Sequence, residues 1–172
     1  VAGIANADDV TISNSGSITT SGNNSAALLA QSIAGGGGSA ALTGSPDLSI
    51  TAENELGLGA SDTASSIGGA LNVTNTSNLI STGNGSPALL LQSIGGGGGV
   101  VQALNNPSVQ SISFGYRDLG KTPDRAIASS GAIEFTSTGG STIATAGNRS
   151  AAAILQSIGG GGGWALIDSL TS

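Results

Sequence analysis

Gln156-Ser157-Ile158-Gly159-Gly160-Gly161-Gly162-Gly163 is the third appearance of one phrase. Gln92-Ser93-Ile94 runs into Gly95 to Gly99, and Gln31-Ser32-Ile33-Ala34 runs into Gly35 to Gly38. The three glutamines stand 61 and 64 residues apart. Self-similarity at a near-fixed period predicts a repeat architecture rather than a globule with one centre. The chain therefore reads as a single repeat region over residues 1–172, with copies at about 1–61, 62–125 and 126–172, the last incomplete.

Composition narrows what such a repeat can be made of. There are 30 glycines, and aromatic residues make up 2% of the chain, so Ala, Val, Ile, Leu and backbone must build the interior. Charged residues are 8%, against about a quarter in ordinary soluble domains, which leaves Ser, Thr, Asn and Gln to cover the surface. The net charge of −6 is the opposite of the basic stripe that releases counterions from phosphate, so no nucleic-acid partner is expected. Arg117, Lys121 and Arg125 are interleaved with Asp118 and Asp124 and read as a solvated loop. Without Cys there is neither a disulfide framework nor a thiolate metal site. The chain does not begin with Met or with a charged-then-apolar leader, and it reads as an excised or processed segment. No apolar run approaches the roughly 18 to 20 residues of a membrane-spanning helix, so membrane attachment is expected only through parts outside this segment.

Outward from the opening phrase, the order of local signals recurs. Val10-Thr11-Ile12, a turn at Asn14-Ser15-Gly16 and Ile18-Thr19-Thr20 lead to Gly22. Leu71-Asn72-Val73 and Leu79-Ile80-Ser81-Thr82 lead to Gly83, and Ile133-Glu134-Phe135 and Thr142-Ile143-Ala144-Thr145 lead to Gly147. Alternation with β-branched residues between Gly, Asn and Ser predicts short half-buried strands. In the third copy two extra residues fall at a turn around Gly139-Gly140, where a surface loop tolerates them. Gly22-Asn23-Asn24-Ser25, Gly83-Asn84-Gly85-Ser86 and Gly147-Asn148-Arg149-Ser150 then form a second recurring phrase. Gly-Asn is turn chemistry because both residues tolerate positive φ. Each turn leads into an apolar segment ending at Ile33, Ile94 or Ile158. Its Ala and Leu content allows a short helix stopped by glycine, but eight residues are few for a helix among strands, and strand is the favoured reading.

After the first two glycine runs the copies diverge. Pro46 and Pro107 fall at matching distances, Leu48–Ile50 and Val109–Ile112 follow as expected strands, and Thr51–Gly69 and Gly115–Ser130 are expected to be outward loops. The fold class is accordingly all-β, a β-helix or β-solenoid with ordered glycine-rich segments. At about 20 residues per coil, one period is expected to make roughly three coils of about 4.8 Å each. Val10, Ile12 and Ile18 should point inward, below Leu71, Val73 and Leu79 and then Ile133, Phe135 and Ile143. Trp164 fits a narrow aliphatic interior badly and is expected at an end or interface. Five successive glycines are either a flexible linker or a segment whose amides are all bonded to neighbours. The constant attachment of each run to Gln-Ser-Ile favours the second.

The sequence strand, Gly-Asn-x-Ser, small apolar segment, Gln-Ser-Ile and four or five glycines resembles the passenger repeats of large Gram-negative autotransporter adhesins. The resemblance covers nearly the whole chain, and its repeat-defining residues are Gln31, Ser32, Ile33, Gln92, Ser93, Ile94, Gln156, Ser157 and Ile158, with Gly95 and Gly159 opening the second and third runs. Ala34 departs from it in the first copy. It implies a secreted β-solenoid stalk displayed at the cell surface, on the outer membrane of a Gram-negative bacterium, by a C-terminal barrel that this segment lacks.

No residue pattern nominates a catalytic, cofactor or metal site. There is no His, which rules out a Ser-His-Asp arrangement. Among the carboxylates only Asp8/Asp9 and Glu53/Glu55 are close in sequence; adjacent residues on a strand point to opposite faces, which weakens Asp8/Asp9, and Glu53 and Glu55 could share a face but stand in a charged stretch that reads as loop. The glycine runs hold no Asp for calcium and no Lys-Ser/Thr for a phosphate loop. An enzyme, such as a polysaccharide lyase, is not expected, nor is any cofactor. Two classes remain: a structural and adhesive module that self-associates end to end, its receptor unidentified, and a ligand-binding glycine-rich tip. The tip reading covers phage receptor binding or ice binding, for which Thr19-Thr20, Thr142 and Thr145 are the hint.

Overall fold

The structure, a computed structural model, describes residues 3–4, 6–43, 55–58, 63–104, 111–114 and 127–167. Among these residues every regular element is a β-strand. The first copy holds β1 (Gly3–Ile4), β2 (Val10–Asn14), β3 (Ile18–Thr20), β4 (Leu28–Ile33), β5 (Gly37–Thr43) and β6 (Glu55–Leu58). The second holds β7 (Thr63–Ile67), β8 (Leu71–Asn75), β9 (Leu79–Ser81), β10 (Leu89–Ile94), β11 (Gly98–Leu104) and β12 (Ser111–Phe114). The third holds β13 (Ile127–Ser129), β14 (Ile133–Ser137), β15 (Ile143–Thr145), β16 (Ala153–Ile158) and β17 (Gly162–Ile167).

All pairings are parallel, and each joins a strand to its counterpart in another copy. The sheets are β1-β7-β13, β2-β8-β14, β3-β9-β15, β4-β10-β16, β5-β11-β17 and the pair β6-β12, with the second copy in the middle of every three-stranded sheet. One period thus contributes one strand to each sheet, and among the described residues no strand pairs within its own copy. This corrects the expectation of three coils per period. Glutamine bonds glutamine across 61 and 64 residues, so a whole period rises by only one strand spacing, about 4.8 Å. The 20-residue figure suits coils with three short faces, whereas here five or six strands must be laid down before the chain returns.

The expected inward residues stack in the expected order: Val10 on Leu71 on Ile133, Ile12 on Val73 on Phe135, and Ile18 on Leu79 on Ile143. Alternation sets their side of the pleat, since β8 runs buried and exposed by turns from Leu71 to Asn75. They meet Leu28, Ala30, Ala88, Leu89 and Leu91 in one apolar cluster between the β2-β8-β14 and β4-β10-β16 sheets. β10 also contacts β11 and β17 on its other side, so it is buried on both faces along its whole length. That burial comes from stacking. Leu90 is 1% exposed between two layers, while Leu29, in register with it at the outside, is 43% exposed. The segment left open between helix and strand is strand in all three copies.

The two extra residues of the third copy are taken up between β14 and β15, where Gly139 and Gly140 turn with φ of 72° and 70°. The divergent regions differ from expectation. Glu55–Leu58 pairs with Ser111–Phe114, a register that does not match Leu48–Ile50 to Val109–Ile112. β6, β7 and β13 lie inside stretches expected to be outward loops. Charge at Glu53 and Glu55 had pointed to loop, whereas the short alternation at Leu56 and Leu58 suffices for a strand once a neighbouring layer offers a partner. Pro46, Leu48–Ile50, Pro107, Val109-Gln110 and the cluster at Arg117, Lys121 and Arg125 lie outside the described residues.

Candidate functional site

The repeated phrase occupies the central sheet and the reversal that follows it. β4, β10 and β16 are in register residue for residue, so Gln31, Gln92 and Gln156 stack, as do Ser32, Ser93 and Ser157 and Ile33, Ile94 and Ile158. The glutamines form a ladder: Gln31 Nε2 donates to Gln92 Oε1 at 2.7 Å, and Gln92 Nε2 donates to Gln156 Oε1 at 2.6 Å. The second N–H of the amide reaches the glycine strand, from Gln92 to the Gly99 carbonyl and from Gln156 to the Gly163 carbonyl, each at 3.5 Å. Gln92 is wholly buried, and its amide is spent on three partners. A buried polar group without partners costs about 1–3 kcal/mol, which is why glutamine in this place demands glutamine above and below it.

Serine, the next residue, points to the opposite face and ties the sheet to the link between the first and second strands of each copy. Ser32 Oγ donates to the Asp8 carbonyl at 2.8 Å and accepts the Gly69 N–H at 2.9 Å. Ser93 Oγ donates to the Gly69 carbonyl at 2.7 Å and accepts the Gly131 N–H at 2.8 Å. Each hydroxyl therefore bridges two successive layers. Ser157 Oγ donates to the Gly131 carbonyl, and its other neighbour is the Ser130 hydroxyl.

The glycines are required twice over, by conformation and by proximity. Gly35 to Gly38 have φ of 79°, 89°, 151° and 134°, and Gly96 to Gly99 repeat these as 79°, 89°, 152° and 137°. Residues with a Cβ rarely adopt such angles. A Cβ at Gly37 would overlap the Gly98 carbonyl oxygen, and one at Gly98 would overlap that of Gly162. At Gly95 it would overlap the Ser129 carbonyl, while at the exposed Gly159 the nearest atom is the Ala128 oxygen at 2.8 Å. Ala34 takes the corresponding place in the first copy, 2% exposed. Trp164 is half-buried in β17, an outer strand of its sheet, in register with Val100 and Ser39.

Several participants were not singled out from the sequence. Asn84 N–H donates to Asn23 Oδ1 and Asn148 N–H to Asn84 Oδ1, at 3.0 and 2.8 Å. Ser25 N–H donates to Ser86 Oγ and Ser86 N–H to Ser150 Oγ, each at 3.0 Å. Asn14 Nδ2 donates to Asn75 Oδ1 at 2.8 Å, a ladder that ends where the third copy has Ser137. In Gly-Asn-x-Ser the positive φ belongs to x, at Asn24, Gly85 and Arg149 with 58°, 62° and 56°. This corrects the assignment of positive φ to Gly-Asn itself. The leading glycine serves proximity instead, since a Cβ at Gly83 would overlap the Gly22 carbonyl and one at Gly147 that of Gly83. The threonines that hinted at ice binding are partly engaged, because Thr20 and Thr145 hydroxyls donate to the Ser25 and Ser150 carbonyls.

Among the described residues no three carboxylates lie close enough to hold a metal ion together. Asp9 Oδ1 accepts the Ala70 N–H at 2.7 Å. What the arrangement can do is join layers: glutamine, serine and asparagine side chains pass hydrogen bonds from one copy to the next, and glycine allows the copies to close up. No family model, curated protein or solved structure matches the chain.

Proposed function

We propose that this chain is a structural, adhesive segment of a secreted protein on the surface of a Gram-negative bacterium. Its parallel sheets are the faces of a β-solenoid with ordered glycine segments, whose copies stack as layers into a stalk or fibre that presents binding surfaces and carries out no catalysis. The observation that carries the reading is the Gln31–Gln92–Gln156 ladder with its reach to the Gly99 and Gly163 carbonyls. It adds one identical junction per repeat, the property a stalk needs. Further support comes from the second copy, buried from residue 85 to 101 because a layer lies on either side. The resemblance to autotransporter passenger repeats supports the surface location.

The layer geometry is tested by a disulfide. The protein has no cysteine, and Ser13 and Thr74 are exposed neighbours in β2 and β8. In S13C/T74C an intrachain disulfide should form in the monomer, since adjacent strands hold their Cα atoms within the roughly 4.4–6.8 Å a disulfide accepts. Failure to form it would remove the stacked-layer reading. Adhesion is tested with beads coated with the chain. Retention on epithelial or matrix layers above that of uncoated beads is expected, and its absence would leave a stalk without an adhesive surface.

A further inference from the structure

The two ends of the stack are chemically different. On the third-copy face the ladders stop with their bonding groups in place. One N–H of Gln156 Nε2, the Asn148 Oδ1 and the Ser150 backbone N–H have no partner among the described residues, though their counterparts at Gln92 and Asn84 pass a bond to the next layer, as does the Ser86 N–H. Ser157 Oγ meets only the Ser130 hydroxyl where Ser32 and Ser93 receive a backbone N–H from the following copy. Leu155, in register with the wholly buried Leu91, is 46% exposed. Gly162 is in register with Gly98 and Gly37 but lies outside their positive-φ range, and the atoms nearest a Cβ there belong to the Ile158 side chain of its own copy. The hydrogen-bonding groups and the exposed leucine that would meet a further layer are therefore present on this face.

The first-copy face carries an obstacle instead. Gly69 and Gly131 lie between the first and second strands of the second and third copies, and a Cβ on either would overlap the backbone of the layer before it, at Asp8 and at Gly69 respectively. The residue in that place in the first copy is Asp8. Its carbonyl accepts from Ser32 as the Gly69 and Gly131 carbonyls accept from Ser93 and Ser157, so its backbone is set in the same way. The Asp8 Cβ consequently projects out of the first-copy face, and a preceding layer in the common register would meet it with backbone. An exposed carboxylate there would also have to shed its water. Charges and blocked edges of this kind are how strand edges are kept from joining.

Resting on the β-solenoid reading above, we propose that the third-copy face is the receiving face of the stack, fitted to a further layer of this same repeat with glycine at the Asp8 position. Asp8 closes the opposite face, so the chain does not polymerise head to tail through its own first copy. End-to-end association is thereby given a direction and a gate.

The D8G chain supplies the missing partner. Ser13, Thr74 and Thr136 are stacked and exposed, so in-register head-to-tail addition puts Ser13 of one chain beside Thr136 of another. Equimolar D8G/S13C and D8G/T136C chains, oxidised together, should give a disulfide heterodimer. The same pair carrying Asp8 should give at least tenfold less, with unchanged melting curves. Equal cross-linking with Asp8 present would overturn the gate. No heterodimer from the D8G pair, or homodimers of T136C alone in its place, would overturn the receiving face. The intrachain S13C/T74C bond separates these failures from failure of the stack itself. If it forms while the D8G heterodimer does not, only the present inference falls.

Discussion

Replacing Gln92 by Leu removes the centre of the glutamine ladder while nearly keeping side-chain volume, and the structure sets the size of the effect. Three bonds are lost: from Gln31 Nε2 at 2.7 Å, to Gln156 Oε1 at 2.6 Å and to the Gly99 carbonyl at 3.5 Å. Gln31 and Gln156 are half-buried and recover part of their loss from water, which puts each near the low end of the 1–3 kcal/mol cost of an orphaned polar group, at about 1 kcal/mol. The buried Gly99 carbonyl adds a similar amount, so Q92L should cost about 2–3 kcal/mol. Q31L/Q92L/Q156L removes all the mutual partners at once and leaves only the long contacts to Gly99 and Gly163 unmade. Because replacing both members of a buried bond by apolar groups is nearly neutral, the triple variant should be no less stable than Q92L alone. Urea unfolding followed by far-ultraviolet circular dichroism measures both. A neutral Q92L, or a triple variant costing several times the single one, would show that the ladder is not an energetic unit.

Three further outcomes are expected. G98A, whose Cβ would overlap the Gly162 carbonyl at a φ of 152°, should unfold the chain or cost more than about 4 kcal/mol, while G16A, with open space around it, should change the urea midpoint little. S93A leaves the Gly69 carbonyl and the Gly131 N–H without their serine and should cost about 2–4 kcal/mol, against less than about 1 for the exposed S157A, by the same unfolding measurement. G85N should lie within about 1 kcal/mol of the native chain because Asn24 already holds that conformation. G85V should lose at least about 2, since a β-branched residue at φ near 62° is strained; melting temperatures rank the two.

The strands beside the phrase were legible because their apolar residues keep period two, and the inward order from Val10 to Ile143 follows from aligning the copies. The number of layers was not legible. Period fixes what recurs but not how often the chain crosses the section before it recurs, and only the 61- and 64-residue pairings decide that. The asparagine and serine ladders were hidden for a related reason. Asn23 or Ser25 alone looks like an ordinary turn residue, and its bond to the next layer exists only once two copies are superposed. Register in the divergent regions does not follow Pro46 and Pro107, because the pairing of β6 with β12 follows the short alternations after them.

The phrase Gln-Ser-Ile-Gly is coherent once its faces are separated. Adjacent residues of a strand point to opposite sides, so glutamine and serine stitch the central strand to two different neighbours, the glycine strand and the link between the first two strands of the copy. The glycine run completes the first stitch. Residues at the φ of Gly96 and Gly97 reverse the chain at once, bringing the Gly99 carbonyl back to Gln92 seven residues after it left. A flexible linker of the same composition would leave that amide unpaired in a buried site, and a linker of any other residue could not let Gly98 close on Gly162. The constant spacing from glutamine to the paired glycine, Gln92 to Gly99 and Gln156 to Gly163, is thus a geometric requirement of the chain reversal within each layer.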